Sequence, residues 1–191
     1  MVNQKQIWDR YLKKFTGTGD KLGKGMDPGI LETVVALNVL GINTRQSCEG
    51  HLKWGVCAPW VDMEAKNTHR LEDEVKKSWE EADLAMKAGK ASVLTDKLWT
   101  RHHQLRVKLK AKNMMLSKKL WLYLEEFYSN RQVEYGVRLT ISFFGDGIGR
   151  LQSAGAEFQE TLTLKQRQIN LVKYRSEMKD FTVFLKQKFC L

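Results

Sequence analysis

The middle third of the chain does most to limit its fold. Between about residues 67 and 130, apolar side chains recur at the helical period. Leu71, Val75, Trp79, Ala82 and Met86 follow one another at intervals of four, four, three and four, which places them on one face of an α-helix. Ala88-Gly89-Lys90 breaks the pattern. Leu98, His102, Leu105, Leu109, Leu116, Leu120, Leu124 and Phe127 then trace a longer helix. Two long helices with a short connection pack as an antiparallel hairpin. On both sides of this block the period changes. Residues 42–48 and 58–64 read as strands, with Pro59 confined to a strand start or an edge. Residues 137–144 alternate and are rich in β-favouring side chains. The glycine-rich turn at 145–149 holds Asp146-Gly147, a tight-turn signal, and 150–153 pairs back as a hairpin. The expected fold is α+β: a small, mostly antiparallel sheet of about four strands, with packed helices and a long projecting helical hairpin. Residues 1–66 and 131–191 together form one α+β domain in this reading, and 67–130 are an inserted hairpin.

Three further helices complete the pattern. One covers about 4–15, where Ile7, Tyr11 and Phe15 recur at spacing four. A second opens at Asp27-Pro28, with Asp27 as its cap and Pro28 in the first turn, and stops at Gly41. The last spans roughly 163–188, with Ile169 and Val172 early on its buried face and Phe181, Phe184, Leu185 and Phe189 near its end. Residues 17–25 form a loop that superficially resembles a phosphate-binding loop. Its Gly19 and Gly23 are separated by three residues where that motif needs four, Gly25 replaces the hydroxyl residue, and a helix precedes it, so it reads as a linker. The spaced glycines 145, 147 and 149 are likewise no dinucleotide fingerprint, since a strand follows them.

A length of 191 residues allows one sizeable domain, and 32 Lys+Arg against 22 Asp+Glu give a formal charge of +10. That balance favours acidic partners and counts against a DNA mimic. No apolar run reaches the roughly 18 residues of a membrane span. The first residues carry no apolar segment behind their positive charge, and three cysteines read as reduced thiols, so the expected location is cytoplasmic. The charges are also segregated. Residues 72–83 hold six acids and two lysines, whereas 97–119 hold eight bases (Lys97, Arg101, Arg106, Lys108, Lys110, Lys112, Lys118, Lys119) and no acid. A helix so charged can lie along a phosphate backbone and release counterions, with Arg138 and Arg150 extending the surface. It can equally be a solvated face, or one paired against the acids of 72–83. Trp99 and Trp121 are candidates for base stacking or for core. His102 belongs to the apolar seam and His103 to the solvent.

Chemistry concentrates in Thr44-Arg45-Gln46-Ser47-Cys48-Glu49-Gly50-His51. A hydroxyl, thiol, carboxylate and imidazole occupy five residues after a strand, and Gly50 permits a sharp turn. Cys48 becomes a nucleophile if His51 or Arg45 lowers its pKa. Alternatively, Cys48, His51 and a carboxylate hold a divalent metal. Cys57, nine residues on, does not make a standard zinc spacing, and Cys190 looks incidental. Asp62, Glu64 and Lys66 follow the order of a metal-dependent nuclease site, in which carboxylates hold Mg²⁺ and the metal activates water. An ordinary polar strand end produces the same letters.

The segment Leu37-Asn38-x-Leu40-Gly41-Ile42-x-Thr44-x-x-Ser47-Cys48-Glu49-Gly50-His51, followed by Pro59-Trp60-Val61-Asp62, resembles uncharacterised bacterial and phage-associated proteins that bear a Thr-x-x-Ser-Cys-Glu-Gly-His motif. The resemblance brings no activity with it. A shorter likeness, to the Ser-Ser-Cys-Ser-Gly-Arg turn of the tRNA wybutosine-synthesis methyltransferase family, covers Ser47, Cys48 and Gly50. Glu49 stands there for Ser and His51 for Arg, and no catalytic residue transfers.

Three functions remain open on the sequence. The first is a basic protein that contacts RNA or DNA through the helix around 97–119, with a polar Cys/Glu/His pocket beside it. The second is a metal- or thiol-dependent enzyme acting on nucleic acid or nucleotide, with Cys48, Glu49, His51, Asp62 and Glu64 as its candidate site. The third is a phage or mobile-element protein that binds and inhibits a host defence nuclease. Trp79, Leu98 and Leu116 on exposed seams of the hairpin would also allow a homo-oligomer.

Overall fold

The computed structural model describes residues 3–19 and 25–189. Most of the loop at 20–24 and the terminal Cys190 lie outside the described residues. The chain is α+β. Helices α1 (Gln4–Thr16) and α2 (Pro28–Val39) precede strands β1 (Thr44–Cys48) and β2 (Trp60–Met63). Helices α3 (His69–Lys87) and α4 (Ser92–Tyr128) form the hairpin. Strands β3 (Leu139–Phe144) and β4 (Ile148–Ser153), a 3-10 segment (Ala154–Thr161) and α5 (Leu164–Lys188) complete it. The sheet order is β1-β2-β4-β3, and every pairing is antiparallel. Pro59 sits just before β2, where no ladder hydrogen bond is lost.

Helix α2 is the centre of the molecule, because its residues are apolar on nearly every side. Ile30, Val35, Ala36 and Leu37 are fully buried. Around it lie Trp8 and Phe15 of α1, Val61, Met63, Ile141 and Leu151 of the sheet, Leu120 and Leu124 of α4, and Met178, Phe181 and Leu185 of α5. Helix α5 begins with a capping box, in which Thr163 and Gln166 satisfy each other's backbone N–H groups.

Several expected faces are turned. On α5 the buried line is Leu171, Tyr174, Met178, Phe181 and Leu185, whereas Ile169 and Val172 face solvent. The register is set by the phenylalanine end of the helix, and the first turns follow it. On α3 the seam is Val75, Ser78, Ala82 and Ala85, with Trp79 and Met86 outside. Small residues at the seam let α3 and α4 approach closely, so the bulky ones are excluded from it. His102 packs as expected, buried against Ser78 Oγ at 3.1 Å and the Val75 carbonyl at 3.3 Å, and His103 is exposed. Only the first half of α4 belongs to a projecting hairpin. Its second half, through Leu120, Leu124 and Tyr128, lies in the same core as the sheet, so packing does not divide the chain at 130.

Tyr128 joins α4 to the edge of the sheet. Its hydroxyl donates to Glu177 Oε1 at 2.9 Å and accepts the Leu139 N–H at 2.7 Å. Arg131 bridges Glu177 and Asp180 at 2.8 and 2.6 Å, so the buried Glu177 carboxylate is both paired and hydrogen-bonded. Burial, reinforced by Glu177, raises the Tyr128 hydroxyl well above the usual tyrosine range. Tyr128→Phe leaves a buried N–H and a buried carboxylate each short of a partner. It should cost about 1–3 kcal/mol in denaturant unfolding, whereas Tyr123→Phe should cost far less.

Candidate functional site

The turn that follows β1 is pinned from three sides. Gly50 has φ 81°, and a Cβ there would meet the Ala58 carbonyl carbon at 2.5 Å, so only glycine lets the turn lie on the segment leading into β2. The His51 N–H donates to the Val56 carbonyl at 3.1 Å. From α5, Arg175 donates to the carbonyls of Glu49 and Gly50 at 3.0 and 2.7 Å, and to Glu49 Oε1 at 3.4 Å.

Glu49 and Asp27 exchange the roles that the sequence suggests. Asp27 makes no side-chain cap on its own helix. Instead Glu49 Oε2 accepts the Gly29 N–H at 2.8 Å, placing a carboxylate at the positive end of α2. A Cβ on Gly29 would stand 2.6 Å from that oxygen. Asp27 faces the turn. Its Oδ2 accepts the Glu49 N–H at 3.3 Å and lies 3.3 Å from His51 Nε2. Glu49 is thus a clamp that holds the turn to α2 and α5.

Asp27, Cys48 and His51 converge. One ligand atom from each lies within 4.8 Å of the others, and all three residues are half-buried. The Cys48 sulfur accepts the Gly50 N–H at 3.4 Å. Trp54 stacks on the His51 ring with centroids 3.7 Å apart. Asp27, Cys48 and Trp54 line a cleft of about 730 Å³ together with Phe15, Arg45 and Trp60. A thiol, an imidazole and a carboxylate are all ligands that zinc accepts.

The remaining candidates fall elsewhere. Asp62 is buried and gripped by Arg150 through two bonds, at 2.7 and 2.9 Å. The Arg150 guanidinium also stacks over Trp60 at 4.1 Å, so Arg150 belongs to this sheet-face stack and not to an open basic surface. Glu64 lies beyond the end of β2 and pairs with Arg45 at 3.0 Å. Burial raises its pKa and Arg45 partly offsets the rise. Neither carboxylate joins a metal-ligand group among the described residues. Cys57 is a buried thiol whose Sγ donates to the Arg167 carbonyl at 3.4 Å, apart from the cluster.

The basic helix is only partly neutralised. Arg101 pairs with Glu81, and Arg106 with Asp146 of the β3–β4 turn. Lys119 donates to the Leu40 carbonyl at 2.5 Å, and Arg138 lies over the Tyr128 ring. Lys97, Lys108, Lys110, Lys112 and Lys118 make no ion pair among the described residues and are exposed. At about 100° per residue, Lys97, Arg101, Lys108, Lys112 and Lys119 fall within an arc of roughly 60°, away from the buried seam. Trp99 packs edge-on against His102, and Trp121 is half exposed with its indole N–H on Glu125.

The comparisons with known proteins return nothing: no family model, curated protein or solved structure matches this chain.

Asp27 and Arg175 are the candidate-site residues that local reading passes over. Asp27 looks like an ordinary helix cap, and Pro28-Gly29 beside it is the available hint. Nothing in the sequence around Arg175 marks it. The expected activation of the thiol is corrected as well. Burial pushes the Cys48 thiol above its ordinary value of 9.0; the Gly50 N–H opposes the shift, and the Asp27 carboxylate adds to it. In metal-free protein with Cys57 and Cys190 replaced by Ser, alkylation of Cys48 should be slower than that of an exposed cysteine at neutral pH. It should rise with a midpoint above pH 9.0; a midpoint near neutrality would restore the free-nucleophile reading.

Proposed function

We propose that the cleft is the centre of a metal-dependent hydrolase, with zinc or a similar divalent ion held by Asp27, Cys48 and His51. The observation that carries this reading is their convergence within 4.8 Å beside a cleft of about 730 Å³ that Asp27 and Cys48 line. Three protein ligands leave a fourth position for water, the arrangement of catalytic rather than structural zinc. The bound ion would lower the pKa of that water and polarise the substrate. A high thiol pKa in the metal-free chain fits a ligand that deprotonates only when the metal arrives. Cys48 is then a ligand and not an attacking group. The stack of Trp54 on His51 and the clamp of Glu49 and Arg175 fix the orientation of the ligands.

The substrate class we propose is nucleic acid or nucleotide. The +10 charge and the row of Lys97, Lys108 and Lys112 on α4 support an anionic partner. Aromatic Phe15, Trp54 and Trp60 with Arg45 in the cleft wall suit a base next to a phosphate. An ion held by Asp27, Cys48 and His51 would supply Lewis-acid activation for phosphoester hydrolysis, in which the oxygen of water bonds to phosphorus, the bond to the leaving oxygen breaks, and that oxygen takes up the proton the water gives up.

Metal analysis tests the centre directly. Purified protein should carry about one zinc per chain, and the cobalt form should show a thiolate charge-transfer band. Asp27→Ala, Cys48→Ser and His51→Ala should each lose metal by at least tenfold in affinity, while Asp62→Asn should keep it. Wild type that takes up neither ion ends this reading. For the partner, binding of an oligonucleotide should weaken steeply with salt. Replacing Lys97, Lys108 and Lys112 by Ala should lower the salt slope by about 0.9 for each phosphate that is no longer neutralised. An unchanged slope would show that α4 does not touch the backbone.

A further inference from the structure

The two edges of the sheet are built differently. Edge strand β1 is guarded: it carries Arg45, and its register against β2 slips between Thr44 and Gln46. Edge strand β3 has none of the usual protections. Its sequence, Leu-Thr-Ile-Ser-Phe-Phe, has no charge and no proline, and it pairs with β4 over all six residues without a bulge. Ala154 donates to the Arg138 carbonyl, and antiparallel bonding alternates. The outward-facing groups of β3 are therefore those of residues 139, 141 and 143. Tyr128 takes the Leu139 N–H. The N–H and C=O of Ile141 and Phe143 have no partner strand.

The same edge carries a knob and a hole. At one end Phe143 is 49% exposed. It shares the strand face of the buried Leu139 and Ile141, because all three have the same parity. At the other end a pocket of about 220 Å³ opens beside Leu139, walled by Trp121, Tyr128 and Tyr135. That volume is ample for a phenyl ring.

We infer that β3 pairs antiparallel with β3 of a second copy about a two-fold axis through Ile141. This register puts Phe143 of each copy opposite Leu139 of the other, so each phenyl ring enters the other copy's pocket. The N–H and C=O of Ile141 and the N–H of Phe143 gain partners in each copy, the last on the Leu139 carbonyl of the other copy, whereas the Leu139 N–H stays with Tyr128, and the sheet becomes eight-stranded. Charge complementarity points to the same occupant. Lys118 and Glu125 lie three and four residues to either side of Trp121 on the flank of α4 beside the pocket. Neither forms an ion pair among the described residues. An antiparallel partner helix brings Lys118 of one copy toward Glu125 of the other. The contact is isologous, so it closes as a dimer and does not propagate.

Light scattering on the full chain should give twice the 22.2 kDa chain mass, with dissociation on dilution. Phe143→Lys changes an exposed side chain and should weaken the dimer at least about tenfold with an unchanged far-UV spectrum. Trp121→Ala, which removes one wall of the pocket, should act in the same direction. The register has its own test. Thr140 of one copy falls opposite Ser142 of the other as a non-hydrogen-bonded pair, with Cα atoms about 4.5 Å apart, within disulfide reach. The double variant Thr140→Cys/Ser142→Cys should therefore give a covalent dimer on a non-reducing gel, and neither single variant should. A wild type that stays monomeric at all concentrations overturns the inference. So does a dimer indifferent to Phe143→Lys, or a double variant that does not cross-link.

Discussion

The grip of Arg175 on the Glu49–Gly50 turn is the contact on which the candidate site depends. A guanidinium from the last helix takes two carbonyls and a carboxylate of a turn more than a hundred residues earlier. Without it the turn would keep only its bonds to Val56 and to the start of α2. With it, Glu49 is held at the N-terminus of α2, and Asp27 is left to face Cys48 and His51. One charge-assisted anchor thus couples α5, α2 and β1 and assembles three ligand atoms that lie on different elements. The clamp and the ligands differ, although Glu49 of the clamp lies between the ligands Cys48 and His51 within four positions of the chain.

Charge is handled in two ways in this molecule. Charge on the buried acidic residues Asp62 and Glu177 is matched. Arg150 closes on Asp62, and Arg131 and Tyr128 together satisfy Glu177. Leaving either carboxylate unpaired in such surroundings would cost several kcal/mol. Where it is exposed, on the outer face of α4, lysines stand without acids beside them. The acids of α3 do not cancel them: Glu81 meets Arg101, while Glu74 and Asp83 pair within their own helix. Part of the +10 surplus is therefore displayed on a surface of α4 that faces away from the core.

The helical hairpin, the β3–β4 hairpin and the run of bases on α4 were legible because each depends on a short stretch of chain. Polar Ser78 and small Ala85 hid the seam of α3, since close helix packing selects size and not hydrophobicity. Ile169 and Val172 misled for the opposite reason: they are apolar, yet the aromatic end of α5 sets a register that turns them outward. In the site, Cys48 and His51 were recognisable from their four-residue cluster. The carboxylate that joins them was not, because Asp27 is distant in sequence and carries a local capping signal of its own.

The sequence by itself determined the α+β class, the antiparallel pairing across Asp146-Gly147, the glycine at the tight turn and the sign of the charge. Each of these follows from backbone freedom, side-chain period or composition over short stretches of chain. The tertiary structure alone decided which carboxylate faces the thiol and imidazole, which acids are consumed by arginines, and which edge of the sheet is left open. Those outcomes depend on groups brought within a few ångströms by the packing of α2 and α5, and contacts between distant segments leave no periodic trace in the chain.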